Sequence, residues 1–353
     1  MNFSVICHFS FLFLVGFLIS SCSSTSLKYE KGDGLKGIEA YENQVKVIEI
    51  EEPAPPPEKA PEETSSKNEN KKEETKKKLK SSPKPKEEKK TVEKKSKSPS
   101  KTRMPKMEDS VGFDGRRPLV DPFKVGEKVT LDVTYFNIKA GEIDLSVKPF
   151  VEFNENKAYS FHVNLKSYSF FSRIYAVDDQ ASTYVDYETL KPYNLSITIK
   201  ESKQLAETRT LFDWKTNKAS YWKKRYTEEN GEEKSELSWD IEDYSQNVIS
   251  ALYYLRTFQL VPGKKLAFRV ADEGKNIVFT GEVLRRETLK TKLGDFKTVV
   301  VRPSIEVDGA FKPVGENLIW LTDDDRKFVV RIESKIKIGT LVAKLKSIDK
   351  GRD

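Results

Sequence analysis

The chain has 353 residues, with 62 Lys and Arg against 55 Asp and Glu, a balance too even for an extended nucleic-acid-binding face. Only 2 Cys and 2 His are present, too few for a disulfide scaffold or a His-rich metal site. Charge is unevenly placed: residues 51–110 hold 17 Lys and 1 Arg against 12 Glu and 1 Asp, whereas 111–353 carry 40 basic and 37 acidic residues.

Phe9 to Leu18 is an apolar run broken only by Ser10 and Gly16. It is short for a membrane span and suits the core of a signal peptide. Ile19-Ser20-Ser21-Cys22 follows and resembles the lipobox of bacterial lipoproteins. The resemblance implies that residues 1–21 are removed and that the Cys22 sulfur carries a diacylglycerol anchoring the chain to a membrane. Ser23 after the lipid cysteine, by resemblance to enterobacterial sorting, implies the outer membrane; the expected location is there, facing the periplasm. Cys7 leaves with the signal, so the mature chain keeps one thiol and lipid consumes it. One departure is that Met1 to His8 contain no Lys or Arg, where a signal peptide usually carries positive charge.

Residues 22–110 read as a lipid-anchored disordered tether. From Glu51 to Ser110 there is no Phe, Trp or Tyr, and Pro53, Pro55, Pro56 and Pro57 precede Lys/Glu mixtures such as Lys71 to Lys80. Such a segment cannot bury enough apolar surface to offset its conformational entropy. Its lysines are interleaved with glutamates, which points to a solvated spacer rather than a grip on an anionic polymer.

Residues 111–353 read as one β-rich domain, mainly all-β: an antiparallel barrel or strongly curved sheet with one amphipathic helix. Val129, Leu131, Val133 and Tyr135 alternate with Thr130, Asp132 and Thr134; Ile143, Leu145 and Val147 return after a turn at 137–141, giving a hairpin with a dry and a wet face. The pattern repeats at Tyr159 to Leu165 and Tyr193 to Ile199. Asn230-Gly231 marks a further hairpin. More strands follow at 266–270, 277–283, 298–302, 318–321, 328–332 and 341–345. Ser245 to Phe258 instead has helical spacing, with Ser245 as cap and Pro262-Gly263 beyond the end. Such a helix fills the concave side of a curved sheet or closes one end, and Tyr253-Tyr254 reads as packing.

Three separated motifs carry a family resemblance. Gly126-Glu127 leads to Tyr135-Phe136-Asn137-Ile138-Lys139-Ala140-Gly141-Glu142. Ser250-Ala251-Leu252-Tyr253-Tyr254-Leu255-Arg256 precedes Pro262-Gly263, and Trp320-Leu321-Thr322-Asp323-Asp324 leads to Arg331-Ile332-Glu333 and Ile338-Gly339. Together they resemble the exported bacterial family known as domain of unknown function 3108. The resemblance implies an envelope-located, mostly β domain and no particular activity.

Catalytic chemistry finds little support. His8 leaves with the signal, and His162 lies between Ser160 and Asn164 on the polar face of its strand, so it reads as a solvated surface residue. There is no nucleophile elbow, phosphate-binding glycine loop or dinucleotide fingerprint. No cofactor or metal is implied. Asp323-Asp324-Asp325 reads as a turn, with short side chains bonding nearby amides, rather than a metal or catalytic cluster. Asp178-Asp179 closes an aromatic stretch in which Tyr168, Phe170, Phe171, Ile174 and Tyr175 surround Arg173. Tyr168, Phe170, Phe171, Arg173 and Tyr175 are the candidate ligand-binding residues, placed to line a hydrophobic mouth with Arg173 facing an anionic headgroup. The expected role is non-catalytic binding of a lipid or glycan in the envelope. A structural or assembly protein acting through protein contacts is the alternative. A carboxylate-dependent hydrolase, requiring two facing acids in a cleft, is the third.

Overall fold

Alternating β-branched and aromatic residues build the strands expected from the sequence, and less regular stretches add several more. The computed structural model describes residues 37–50, 113–307, 310–312, 317–335 and 339–352. The signal peptide, Cys22 and the Lys/Glu-rich stretch lie outside them.

A short helix α1 (Glu39–Glu42) and strand β1 (Val47–Glu49) come first. After residue 112 follow β2 (Glu127–Tyr135), β3 (Ile138–Phe153), β4 (Asn156–Ser167), helix α2 (Ser169–Ser172) and β5 (Asp178–Asp186). Then come β6 (Asn194–Glu201), β7 (Gln204–Asp213), β8 (Lys218–Thr227), β9 (Gly231–Asp240) and helix α3 (Ser250–Leu255). The rest is β10 (Lys265–Asp272), β11 (Lys275–Thr291), β12 (Gly294–Val307), β13 (Ala310–Lys312), β14 (Asn317–Thr322), β15 (Val329–Lys335) and β16 (Thr340–Lys350).

These strands form one 16-stranded sheet, ordered β10-β11-β12-β14-β15-β16-β2-β3-β4-β5-β6-β7-β8-β9, with β1 on β3 and β13 on β12. Neighbours in that order run antiparallel, and β16 on β2 brings the end of the domain against its beginning. The sheet is not closed: β10 and β9 end it. A parallel bridge from Gln246 to Val270 covers part of the β10 edge.

α3 lies on the inner side of the curved sheet. The Tyr253 ring stacks on Phe161 of β4 at 3.9 Å, and Tyr254 meets Phe268 of β10 edge-on at 5.3 Å. The Tyr253 hydroxyl donates to the Ser146 carbonyl of β3 at 3.1 Å. Strands far apart in the order therefore pack on one helix, which fills the concavity. α3 is shorter than the expected Ser245 to Phe258 because the Gln246 backbone is bonded to Arg269 and Ala271 of β10. Asn247, not Ser245, supplies the cap, its Oδ1 accepting from Ile249 N and Ser250 N at 3.0 and 2.8 Å.

Two further expectations are corrected. The wet face of β2 is not wet: Thr130 and Asp132 are buried by polar neighbours, Thr130 donating to Asp144 at 2.6 Å and Asp132 bonded by Lys139 and Tyr168. Residues 37–50, inside the expected tether, pack on the outer face of the sheet. Val47 to Glu49 pair with Phe153 to Val151, and buried Tyr41 meets Trp222 edge-on at 6.3 Å. Tyr41 also accepts a 2.7 Å hydrogen bond from Asn194, and Lys224 holds the Gly37 carbonyl at 2.8 Å. An apolar patch on the sheet explains the docking: Tyr41, Ile38 and Val45 cover Trp222 and Leu211.

Candidate functional site

The aromatic stretch around α2 connects β4 to β5 at one end of the sheet. Its two ends are tied together: Ser167 N donates to the Val177 carbonyl at 2.9 Å, and Val177 N donates to Ser167 Oγ at 2.9 Å. Ser172 Oγ and Ser167 Oγ are 2.7 Å apart, and Tyr168 N bonds the Ala140 carbonyl of β3 at 2.9 Å. Ser202 of the β6–β7 turn adds a second tie, its Oγ accepting from Ala176 N at 2.7 Å.

The five candidate residues divide into two groups. Tyr168 and Tyr175 act as pegs. The Tyr168 hydroxyl donates to Asp132 at 2.6 Å and lies 3.1 Å from both Glu142 Oε2 and Lys346 Nζ. Burial and the hydrogen bond to Asp132 push its pKa up to about 12. Burial raises the Asp132 carboxyl, but hydrogen bonds from Lys139 and Tyr168 outweigh it and hold the group below the usual carboxylate range. Tyr175 donates to Glu201 at 2.7 Å, and burial followed by the Glu201 charge pushes its hydroxyl far up.

Phe170 and Arg173 are instead presented to solvent. Phe170 is 64% exposed and Ile174, two turns of chain beyond the peg at Tyr168, is 71% exposed. Arg173 is exposed, and its guanidinium makes no ion pair among the described residues. Phe171 is half-buried. Because α3 fills the concavity, this segment is an outward-facing loop and not the mouth of an inner cavity.

Beneath the loop lies a pair of buried acids. Asp179, next to Asp178 in sequence, has Glu201 as its partner, brought alongside because β5 and β6 are neighbours. Both carboxyls are buried, and Asp179 Oδ1 accepts from Lys200 N at 2.9 Å while Glu201 Oε2 accepts from Tyr175 and Gln204. Asp179 Oδ2 and Glu201 Oε1 have no other donor, so one proton held between the two acids satisfies both. Burial, followed by the Glu201 charge, pushes Asp179 up to about 8, and burial raises Glu201 as well. No periodicity signals this pair.

The remaining sequence candidates lie elsewhere. Asp324 Oδ1 accepts from Thr322 Oγ1, Arg326 N and Lys327 N at 2.8, 3.0 and 2.9 Å, which is a turn role. Asp323 pairs with Arg286 at 2.8 Å, and Asp325 is exposed. Among the described residues no group of three or more His, Cys, Asp or Glu could hold a metal. His162 is not solvated as expected: it is half-buried, 2.9 Å from Ser160 Oγ, and burial with help from the Lys148 charge lowers its pKa to about 4.

The profile of a family of proteins of unknown function, DUF3108, matches residues 130–346. No curated protein matches the sequence. A β-barrel-like protein of domain of unknown function DUF1849 from Brucella abortus is similar over 65% of this chain and 99% of its own, at 12% identity and a TM-score of 0.41. A protein classed as exported, with a YmcC-like fold, from Bacteroides fragilis is similar over 65% of this chain and 98% of its own, at 10% identity and a TM-score of 0.29. At those scores neither structure bears on function here.

Proposed function

Because this chain belongs to the DUF3108 family, which is of unknown function, we propose a role from its own geometry: a non-catalytic lipoprotein of the cell envelope whose β domain binds an anionic amphiphile through the α2 loop. The lipid anchor is Cys22, on the strength of the apolar run and Ile19-Ser20-Ser21-Cys22, and the expected location is the periplasmic face of the outer membrane.

One observation carries the binding role. Phe170 and Ile174 stand exposed on a loop otherwise pinned by Tyr168, Tyr175 and Ser167. A fixed loop loses little entropy when a ligand covers it, so the apolar burial goes largely into affinity. Arg173, between those two residues, is placed for a carboxylate or phosphate. The facing carboxyl pair that a hydrolase would need, Asp179 and Glu201, is buried behind the loop, which supports the non-catalytic reading.

The test is titration of a fluorescent fatty acid into the mature chain carrying Cys22→Ser. Phe170→Ala should weaken binding roughly tenfold or more, the value for losing one buried aromatic contact. Arg173→Gln should weaken it severalfold, and neither should lower the melting temperature, since both side chains are exposed. Equal binding by all three chains refutes the assignment. A protein partner added along β9, which ends the sheet with its side chains exposed on both faces, Leu237 among them, is the weaker reading. In β9, Glu232, Glu233, Lys234 and Glu236 are the charges with which exposed edges resist pairing.

A further inference from the structure

The end of the sheet that carries α2 also carries two other exposed apolar side chains. β2 and β3 turn through Phe136 and Asn137, with Tyr135 paired to Ile138. Phe136 is 61% exposed and Ile138 is 54% exposed. Gly141, three residues along β3, pairs with Ser167 at the foot of the α2 loop, so both tips lie at one end. Gly339, just before β16, is there too, lying against the Phe136 ring.

Phe136 sits where the backbone would choose another residue. It has φ +48° and Asn137 has φ +63°, the two-residue turn that favours Asn or Gly. A bulky side chain in that left-handed region is strained, and most of its ring is offered to solvent. The ring packs on its sequence neighbour Tyr135 at 4.4 Å and beside Gly339, and leaves most of its surface open.

Charge follows the same polarity. Lys139, Lys166 and Arg173 are exposed beside the two tips, whereas the exposed acids of this end, Glu228, Glu229, Glu232 and Glu233, lie on the β8–β9 hairpin, with β6 and β7 between it and the α2 loop. The acids near those cations are turned inward: Asp132 is bonded by Lys139 and Tyr168, and Glu142 by Lys346 and Tyr168. Asp179 and Glu201 are buried, leaving Asp178 as the exposed carboxylate of the loop.

The leash points to the same place. Gly37 is held by Lys224, three residues before Thr227, and Thr227 shares a row with Gln204, Glu201 and Val177 at the α2 end. Between Cys22 and Gly37 lie only residues 23–36, which span at most about 50 Å stretched and roughly 20 Å as a coil. A lipid at Cys22 therefore keeps this end within reach of its membrane.

We infer that the α2 end of the domain is a docking face for an anionic bilayer, with Phe136, Ile138, Phe170 and Ile174 as the inserting side chains and the surrounding Lys and Arg meeting headgroups. It rests on the amphiphile reading of α2 and names the bilayer as the source of that amphiphile. Single side chains at the tips of separate connections suit insertion between lipids, where a protein partner would want a continuous flat core. Cations beside them add attraction to anionic lipid.

The experiment is cosedimentation of the mature chain carrying Cys22→Ser with phosphatidylcholine vesicles, with and without phosphatidylglycerol. Binding should require phosphatidylglycerol and fall with added salt. Phe136→Asn with Ile138→Thr should weaken it about tenfold or more, the value for two lost apolar insertions. The same double variant should melt no lower than the parent, since Asn suits the turn, and should bind the fluorescent fatty acid within about twofold of the parent, that probe being assigned to α2. A chain that binds the fatty acid but no vesicle overturns the docking face alone. So does a double variant that sediments like the parent, or equal binding to both vesicle types. Failure to bind either fatty acid or vesicle overturns the amphiphile reading with it.

Discussion

Glu127 shows how single residues read as motif pieces become one object. Its carboxylate is buried and gripped by Arg256 at the end of α3, Nη1 to Oε1 at 2.6 Å and Nη2 to Oε2 at 3.0 Å. Arg326, in the turn after Asp323-Asp324, adds a third contact at 2.7 Å. Thus three stretches far apart in sequence meet at one carboxylate, and a buried charge so paired is costly to break on one side only. Asp179 is the other residue with a consequence for stability. Its carboxyl titrates near 3.8 in an unfolded chain and about 8 in the fold. Between those values the native state holds a proton that the unfolded state has released, so stability falls as pH rises through that window. Asp179→Asn removes the effect while keeping a donor toward Glu201. It should melt higher than the parent at about pH 8, by roughly 2–6 °C, with the gap closing toward about pH 4. Thermal melts across that range check it; a variant that melts lower than the parent at every pH would show that the pair is stabilising as a charged unit.

At the scale of elements, the strands legible in the sequence are those whose inner face is wholly apolar, such as β2, β4 and β6. β7 escaped because its inner positions are Ala206, Thr208, Thr210 and Phe212, and β5 because its inner row begins with Asp179 and includes Thr183. Polar residues on the inner face erase the alternation that periodicity reads. The Asn230-Gly231 turn was legible, but its form is a three-residue loop between Thr227 and Gly231, with only Gly231 left-handed at φ +67°. α1 and β1 were hidden for another reason. Isolated Ile38, Tyr41 and Val45 do not define an element, and gain a place only against Trp222 and Leu211. Tyr41 is the residue on which that docking turns. Tyr41→Ala should speed amide exchange across 38–50 and along Val151 to Phe153 by about tenfold or more, consistent with the cost of losing a buried aromatic. The strands of the main sheet should keep their protection. Unchanged exchange at 47–49 would mean that β1 holds the segment without Tyr41.

For the molecule as a whole, docking of residues 37–50 changes what the Lys/Glu-rich stretch is. In sequence, that stretch falls between two segments of one sheet, residues 37–50 and those from 113 onward, rather than between Cys22 and the whole domain. The proposed anchor then reaches the fold through residues 23–36, and the α2 end faces the membrane. Composition could not show that residues 37–50 join the sheet, because that depends on a patch formed by β7 and β8. The central claim is one of orientation. It is tested most directly by an environment-sensitive fluorophore on a single introduced thiol in the mature Cys22→Ser chain, placed at Ile174→Cys or at Leu293→Cys. Leu293 is the exposed apolar residue of the β11–β12 turn at the opposite end. With phosphatidylglycerol-containing vesicles the label at 174 should shift to the blue and be quenched by lipid-borne quenchers, while the label at 293 stays unchanged. A shift at 293 with none at 174, or equal shifts at both, would contradict the orientation.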